Sequence, residues 1–253
     1  MPAPIALQLY TLRDALAQDF VGTVNQIAAI GYVGVETAGE FGDSPAAAAK
    51  LFNELGLKVS SAHSPLPLGE KQQEVIDTLG VLNCPRLVLP WQSPDLFKST
   101  DGIQRVCDSL NEAAPIAKAH GFTIGYHNHW FEYELLNNRV AADIMLEKLD
   151  PSVFLEVDVY WVQTAGQNPV EVVRGLGARA PLLHIKDGPC QLKEPMTAVG
   201  EGVMDIPGVI AASGSSAEWL VVELDQCATD MFEAVRKSYD YLTEKGLAHG
   251  TEN

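Results

Sequence analysis

The sequence predicts a single-domain (β/α)8 barrel over residues 1–253, and three observations carry that expectation. Short Val-, Ile- and Leu-rich runs alternate with longer Ala-, Glu- and Lys-rich stretches along the whole chain. Runs that apolar read as strands buried on both faces, which is the mark of a parallel sheet. The layout of helix end, glycine and strand recurs in AIGYVGVE, ELGLKVSSAH and AHGFTIGYH, the signature of a βα unit repeating about every 30 residues. Eight such units use up the 253 residues, close to the ~250 typical of this barrel as one domain. A doubly wound open sheet would want a glycine-rich phosphate loop after its first strand. Here that turn reads TLRDALAQD, without a glycine.

Taken in order, the expected strands are 5–10, 33–37, 58–63, 86–91, 123–127, 154–159, 182–186 and 220–224. The clearer helices are 20–30, 45–55, 101–120, 140–149 and 231–245. The first three stop at Gly31, Gly56 and Gly121, residues suited to the left-handed turn after a helix. His120 then reads as a helix C-terminal residue, where partial positive charge is favoured. The tail from His249 is expected to fray.

The formal net charge of −16 disfavours phosphate backbones and anionic membranes. With 47% hydrophobic and 20% charged residues the composition is that of a globular protein with a sizeable core. Cys84, Cys107, Cys190 and Cys227 form no CxxC pair, and reduced thiols suit a cytoplasmic protein. No basic, apolar signal-like start and no run of ~20 apolar residues is present.

Barrel enzymes place their chemistry at the C-terminal ends of the strands. Those ends carry Gln8, Glu36, His63, Trp91, then Tyr126-His127-Asn128-His129 with Glu132 downstream, Asp158, His184 with Lys186, and Glu223. Strand alternation puts Glu156 with Asp158 on one face, His184 with Lys186, and His127 with His129 if the strand reaches that far. Carboxylates inside a barrel are costly unless paired or metal-bound. If Asp158, His184 and Glu223 converge, a divalent ion relieves that cost. Oxygen and imidazole donors suit manganese, cobalt, magnesium or zinc, and the lack of thiolates argues against a structural zinc site.

Any one of these residues alone has a plainer reading. A lone His or Asp at a strand end commonly caps the next helix. Glu36 can pair with a neighbouring cation, His63 can shape the turn before Ser64-Pro65, and Lys186 can be an ion-pair partner of Glu156 one layer down. Trp91 reads as lid packing or as an apolar wall for a sugar face. Gly200-Glu201-Gly202 and Ser213-Gly214-Ser215-Ser216 read as loops, the first able to bring Glu201 to the site as a lid. Four successive strands ending in ligand-type residues make the set far more specific than its members.

HIKD, the GEGVMDIPGVI that follows it, and YHNHWFEY resemble the xylose isomerase-like TIM barrels, from the opening LQLYTLRD to VELD. That superfamily includes sugar phosphate isomerases and epimerases, inosose dehydratases, 3-keto-glycoside lyases and an abasic-site nuclease. The resemblance implies four ligands from strands five to eight, with Asp158, His184 and Glu223 matching by position. On the fifth strand many epimerases have Glu where this chain has His127. The resemblance therefore leaves Glu132 folding back as the fourth ligand, or a histidine replacing it; Glu132 is the expectation.

These readings imply a metal-dependent isomerase or epimerase of a keto-sugar or related hydroxy-ketone, with manganese the expected ion. The ion would stabilise the enediolate formed on α-proton loss. Glu223, His127, His129 and Lys186 would carry the proton and charge work. Glu36, His63, Trp91 and Glu201 would contact the small, sugar-like substrate. A dehydratase or glycoside lyase would use the same first step. A nuclease would need further zinc ligands, yet Asp158 is followed by Val-Tyr-Trp. A non-catalytic sugar-binding barrel would have little reason to keep every ligand type. No nucleic-acid or membrane partner is expected, and self-association is left open.

Overall fold

The computed structural model describes residues 2–251. Eight parallel strands form its closed barrel: β1 (Ala3–Gln8), β2 (Gly34–Thr37), β3 (Lys58–His63), β4 (Arg86–Leu89), β5 (Thr123–His127), β6 (Phe154–Asp158), β7 (Leu182–Ile185) and β8 (Trp219–Val222). Each pairs with the next, and β8 closes on β1 with Ile5 opposite Leu220 and Leu7 opposite Val222. Helices fill the connections and pack their apolar faces on the outside of the sheet, so the main core is the layer between strands and helices. Among the described residues no helix is long and apolar enough to cross a membrane.

Strands β3 and β5 have their predicted bounds, and the others differ by a few residues for local reasons. The first strand ends at Gln8, whose side chain accepts from the Tyr10 amide and opens the 3-10 turn Leu9–Leu12. The fourth ends at Leu89, before Pro90, which has no N–H for a sheet ladder. The helix Val159–Thr164 was not anticipated, because VYWVQT is β-branched and aromatic and reads as strand. It forms because the Asp158 carboxylate caps it, accepting from the Trp161 amide at 3.0 Å. His120 is the C-terminal cap of the helix Thr100–Ala119, as expected.

The expected fraying from His249 is corrected. Ala248–His249 pairs with the start of β1, and the Thr251 amide donates to the Gly31 carbonyl at 2.9 Å, so residues 248–251 are stitched onto the barrel base; the rest of that expectation lies outside the described residues.

Inside the barrel, Val88, Phe154 and Leu182 form a small apolar plug with Trp219 packed against it. Two strand glycines make room for it. A Cβ on Gly125 would lie 2.2 Å from the Phe154 ring, and one on Gly34 would lie 2.5 Å from Trp219. Gly125→Ala is therefore expected to lower stability by about 1–3 kcal/mol through overpacking, read as a fall in the urea midpoint. An unchanged midpoint would show that Phe154 can move aside freely.

Candidate active site

Above the plug the barrel interior turns polar. Alternation carries Glu156 and Asp158 inward from β6, His184 and Lys186 inward at the end of β7, and His127 inward at the end of β5. Glu223 follows the last residue of β8 and Asp225 stands two residues on. Asn128 locks the junction of β5 and β6. Its side-chain oxygen accepts from the Asp158 amide at 3.0 Å, and its side-chain nitrogen donates to the Asp158 carbonyl at 3.2 Å.

The polar groups fall into two clusters joined by two imidazoles. In the inner one, Glu156 Oε2 lies 2.7 Å from His63 Nε2, 3.1 Å from His184 Nε2 and 3.2 Å from His127 Nδ1. Glu36 Oε2 lies 2.6 Å from His184 Nε2 and accepts from Gln8 Nε2 at 2.8 Å. In the outer one, His184 Nδ1 is 2.8 Å from Glu223 Oε2, and His127 Nε2 is 3.8 Å from Asp158 Oδ2. His127 and His184 thus turn one ring nitrogen inward and the other outward. The Lys186 ammonium completes the outer cluster at 2.9 Å from Asp158, 2.7 Å from Glu223 and 2.8 Å from Asp225.

The burial of this cluster sets its charge states. Burial opposes the charge of Glu156, yet His184 and His63 hold its carboxyl well below the usual carboxylate range. Burial likewise opposes a charged His184, and Glu156, Glu36 and Glu223 override it and raise its pKa well above the usual value. Glu36 goes the other way: burial and then the Glu156 charge raise its pKa. Burial pushes Asp158 up to about 6 despite Lys186. His127 falls well below the usual imidazole range, from burial first and the His184 charge second. His129 is lowered to about 3 by burial and by Lys186, so it is neutral near pH 7.

One donor atom from each of His127, Asp158, His184 and Glu223 lies within 4.8 Å of the other three, and the same holds for His63, His127, Glu156 and His184. Two imidazoles and two carboxylates suit a divalent first-row ion. Asp158 Oδ2 is buried and accepts no well-directed hydrogen bond, the Lys186 ammonium standing off that direction. Glu36 and Glu156 already lie against the inward nitrogens of the ligand-type imidazoles, which is how a carboxylate fixes the tautomer of a metal-binding histidine.

Of the residues expected at the site, His63, Trp91, His127, His129 and Glu223 all line one cavity of about 640 Å³ at the C-terminal mouth. His129 and His127 lie with ring centroids 5.1 Å apart although β5 stops at His127. Three expectations are corrected. Glu132 does not fold back to the cluster. Its carboxylate accepts from the Tyr126 hydroxyl at 2.6 Å and the His129 amide at 2.9 Å, beside a small internal void, and the position among the donors falls to His127. Glu36 is wholly buried against His184 Nε2 and Gln8 and does not line the mouth cavity. Glu201 turns away on its loop to pair with Lys237 at 3.1 Å. The alternative pairing of Lys186 with Glu156 is also replaced, since the ammonium reaches the outer carboxylates.

Burial raises the Glu132 pKa from 4.5 to about 7, its two hydrogen bonds opposing this. A carboxyl with a raised folded-state pKa binds a proton more tightly when folded. Its contribution is therefore most favourable below about pH 4.5 and is lost as pH rises through about 7. Glu132→Gln is expected to gain up to roughly 3 kcal/mol relative to the parent between pH 5 and pH 8. Thermal midpoints across that range check it, and parallel profiles for the two proteins would refute it.

Sequence reasoning named Gln8 and Asn128 at strand ends and set Glu156 beside Asp158 without giving any of them a role, and it passed over Tyr10 and Asp225. Asp225 was within reach of the alternation rule, two residues beyond Glu223 as Glu156 is two before Asp158. Tyr10 lines the mouth cavity from the turn after β1, where no periodicity applies.

No curated protein matches the chain in sequence. Among solved structures, a sugar phosphate isomerase/epimerase from Parabacteroides distasonis is 25% identical with a TM-score of 0.82, covering 98% of this chain and 96% of that one. An L-ribulose 3-epimerase superposes with a TM-score of 0.71 at 18% identity, covering 97% and 94%. A probable 3-DHS dehydratase of petrobactin synthesis from Bacillus anthracis gives 0.77 at 12%, covering 95% and 98%; these last two likenesses show the fold alone. Residues 24–245 match the xylose isomerase-like TIM barrel family. With that span, the closed eight-stranded barrel and the ligand-type residues at its mouth, the chain belongs to the xylose isomerase-like TIM barrel family.

Proposed function

We propose that the chain is a divalent-metal-dependent sugar isomerase or epimerase that removes the proton next to the carbonyl of a keto-sugar or related hydroxy-ketone. The observation that carries this reading is the outer cluster, where His127, Asp158, His184 and Glu223 converge at the floor of a sugar-sized mouth. Those four residues would hold the ion, and manganese is the ion proposed among the divalent ions that mixed nitrogen and oxygen donors accept. When bound, the ion supplies a Lewis acid for the carbonyl and its neighbouring hydroxyl.

The chain's own groups do the rest. Lys186 keeps positive charge buried against Asp158 and Glu223, where negative charge develops on the substrate oxygens. Glu223 takes the α-proton from one side. His129, neutral and with a buried Nδ1 that has no hydrogen-bond partner, moves a proton on the other. Stacking of His129 on Phe131, at 5.5 Å between centroids and 6° between planes, holds the ring for that work.

The test is exchange of the substrate α-proton with deuterated water in manganese-loaded protein. His129→Ala should keep its metal and lose roughly 10²–10⁴-fold in turnover. Turnover with neither exchange nor an isotope effect at that carbon would overturn the reading. A second reading, a dehydratase or glycoside lyase, is favoured by one observation: a neutral imidazole, His127, stands where a two-carboxylate epimerase would have its second glutamate. It shares the first step and differs in expelling a β-substituent, so an enone product from an inosose or a 3-keto-glycoside would select it.

A further inference from the structure

We propose that the substrate is an uncharged, unphosphorylated sugar that lays its apolar ring face on Trp91; this rests on the sugar reading above. Barrels of this architecture commonly seat a phosphate in the loops after strands seven and eight, at backbone amides and a helix N-terminus. In this chain three amides of the loop after the seventh strand already have a carboxylate of the protein as their acceptor. Asp187, the residue after Lys186 and fully buried, accepts from the Gly188 amide at 2.8 Å, the Gly200 amide at 2.9 Å and the Met204 amide at 3.1 Å. The loop is built around that carboxylate so closely that a Cβ on Gly202 would lie 2.0 Å from its Oδ1. The two following helices are closed in the same way. Asp205 accepts from the Gly208 amide at 3.0 Å, and Asp230 accepts from the Glu233 amide at 2.9 Å.

Among the described residues no lysine or arginine lines the mouth cavity, whereas Glu223 and Asp225 do. Three cations around the mouth already have partners in the protein. Lys186 is held by three carboxylates. Arg13 donates to the Tyr10 and Asp225 carbonyls and lies 4.3 Å from the centre of the Tyr10 ring. Lys71, in the adjoining cleft, is paired with Glu74 at 2.8 Å. A phosphate dianion would thus meet two carboxylates on the cavity wall, while Arg13, whose charge no carboxylate pairs, is turned onto backbone carbonyls and the Tyr10 ring. The same mouth offers apolar surface: Trp91 is 53% exposed and Tyr10 40%, with Leu89, Pro90 and Pro65 between and beside them. A sugar has an apolar face of C–H groups to lay on such a ring and hydroxyls for the polar floor.

Matched pairs of ketoses and their terminal phosphate esters test this on the full-length, manganese-loaded protein. Binding is read by calorimetry and α-proton exchange by NMR in deuterated water. The expected result is binding of at least one neutral ketose at least ten-fold tighter than its phosphate ester. Trp91→Ala should weaken that binding ten-fold or more, and millimolar inorganic phosphate should not compete. Tighter binding of the phosphate ester, or competition by inorganic phosphate, overturns the proposal even where exchange upholds proton abstraction. Tight neutral-sugar binding lost in Trp91→Ala but without exchange upholds the proposal and sinks the isomerase reading. Binding of neither member of any pair overturns both.

Discussion

Replacing Lys186 by methionine is expected to destabilise the metal-free protein by about 3–5 kcal/mol, the cost of stripping one partner from a buried ion cluster. The ammonium is 1% exposed and stands within 2.9 Å of oxygens from Asp158, Glu223 and Asp225. Burial by itself would lower its pKa. The three carboxylates, Asp158 foremost, raise it well above the usual lysine value, so it is charged near neutral pH. Methionine matches the length and leaves three like charges facing one another. For a chain of this size the loss corresponds to a fall of roughly 6–20 °C in the thermal midpoint. Two further signs separate this electrostatic account from simple repacking. Without the ammonium the Asp158 pKa, already raised to about 6, moves further above its unfolded value. The variant's deficit should therefore shrink on acidification through that range and deepen towards pH 8. Excess manganese should also restore much of the midpoint, because a divalent ion supplies the missing positive charge to Asp158 and Glu223. Parent-like stability without metal, or a deficit indifferent to pH and to manganese, would refute it.

His184→Ala is expected to lose nearly all bound divalent metal and, with it, activity. This imidazole is the hinge between the two clusters, with Nδ1 at 2.8 Å from Glu223 and Nε2 at 2.6 Å from Glu36. Removing it takes a donor from the outer set, leaves Glu156 without its strongest counter-charge, and leaves Glu36 with His63 as its remaining one. Metal content after gel filtration, measured beside the far-ultraviolet spectrum, distinguishes loss of ligand from loss of fold. Glu132→Ala is the control, since that carboxylate is committed to Tyr126 and the His129 amide. It should keep stoichiometric metal. The reverse outcome, metal retained in His184→Ala and lost in Glu132→Ala, would return the fourth position to Glu132.

That contrast marks the boundary between what is legible in sequence and what is not. The period of the apolar runs and the glycines that end helices were enough for eight strands, their order and a closed barrel. Alternation within a strand was enough to pair Glu156 with Asp158 and His184 with Lys186 on one face, because a period of two is a local property of the backbone. Depth and partner were not available in the same way. Whether His184 meets Glu36, Glu156 or Glu223 depends on the stagger between strands, set by hydrogen bonding around the whole closed sheet. Glu132 lies only five residues beyond His127, yet its direction is decided by the Tyr126 hydroxyl and the His129 amide after the chain has left the strand. The same holds for Asp187, whose carboxylate gathers amides from as far along the loop as Met204. The sequence by itself determined the barrel and which residue types crowd its mouth; the tertiary structure alone decided which of them touch, because loop ends and barrel stagger are fixed by contacts between residues remote in the chain.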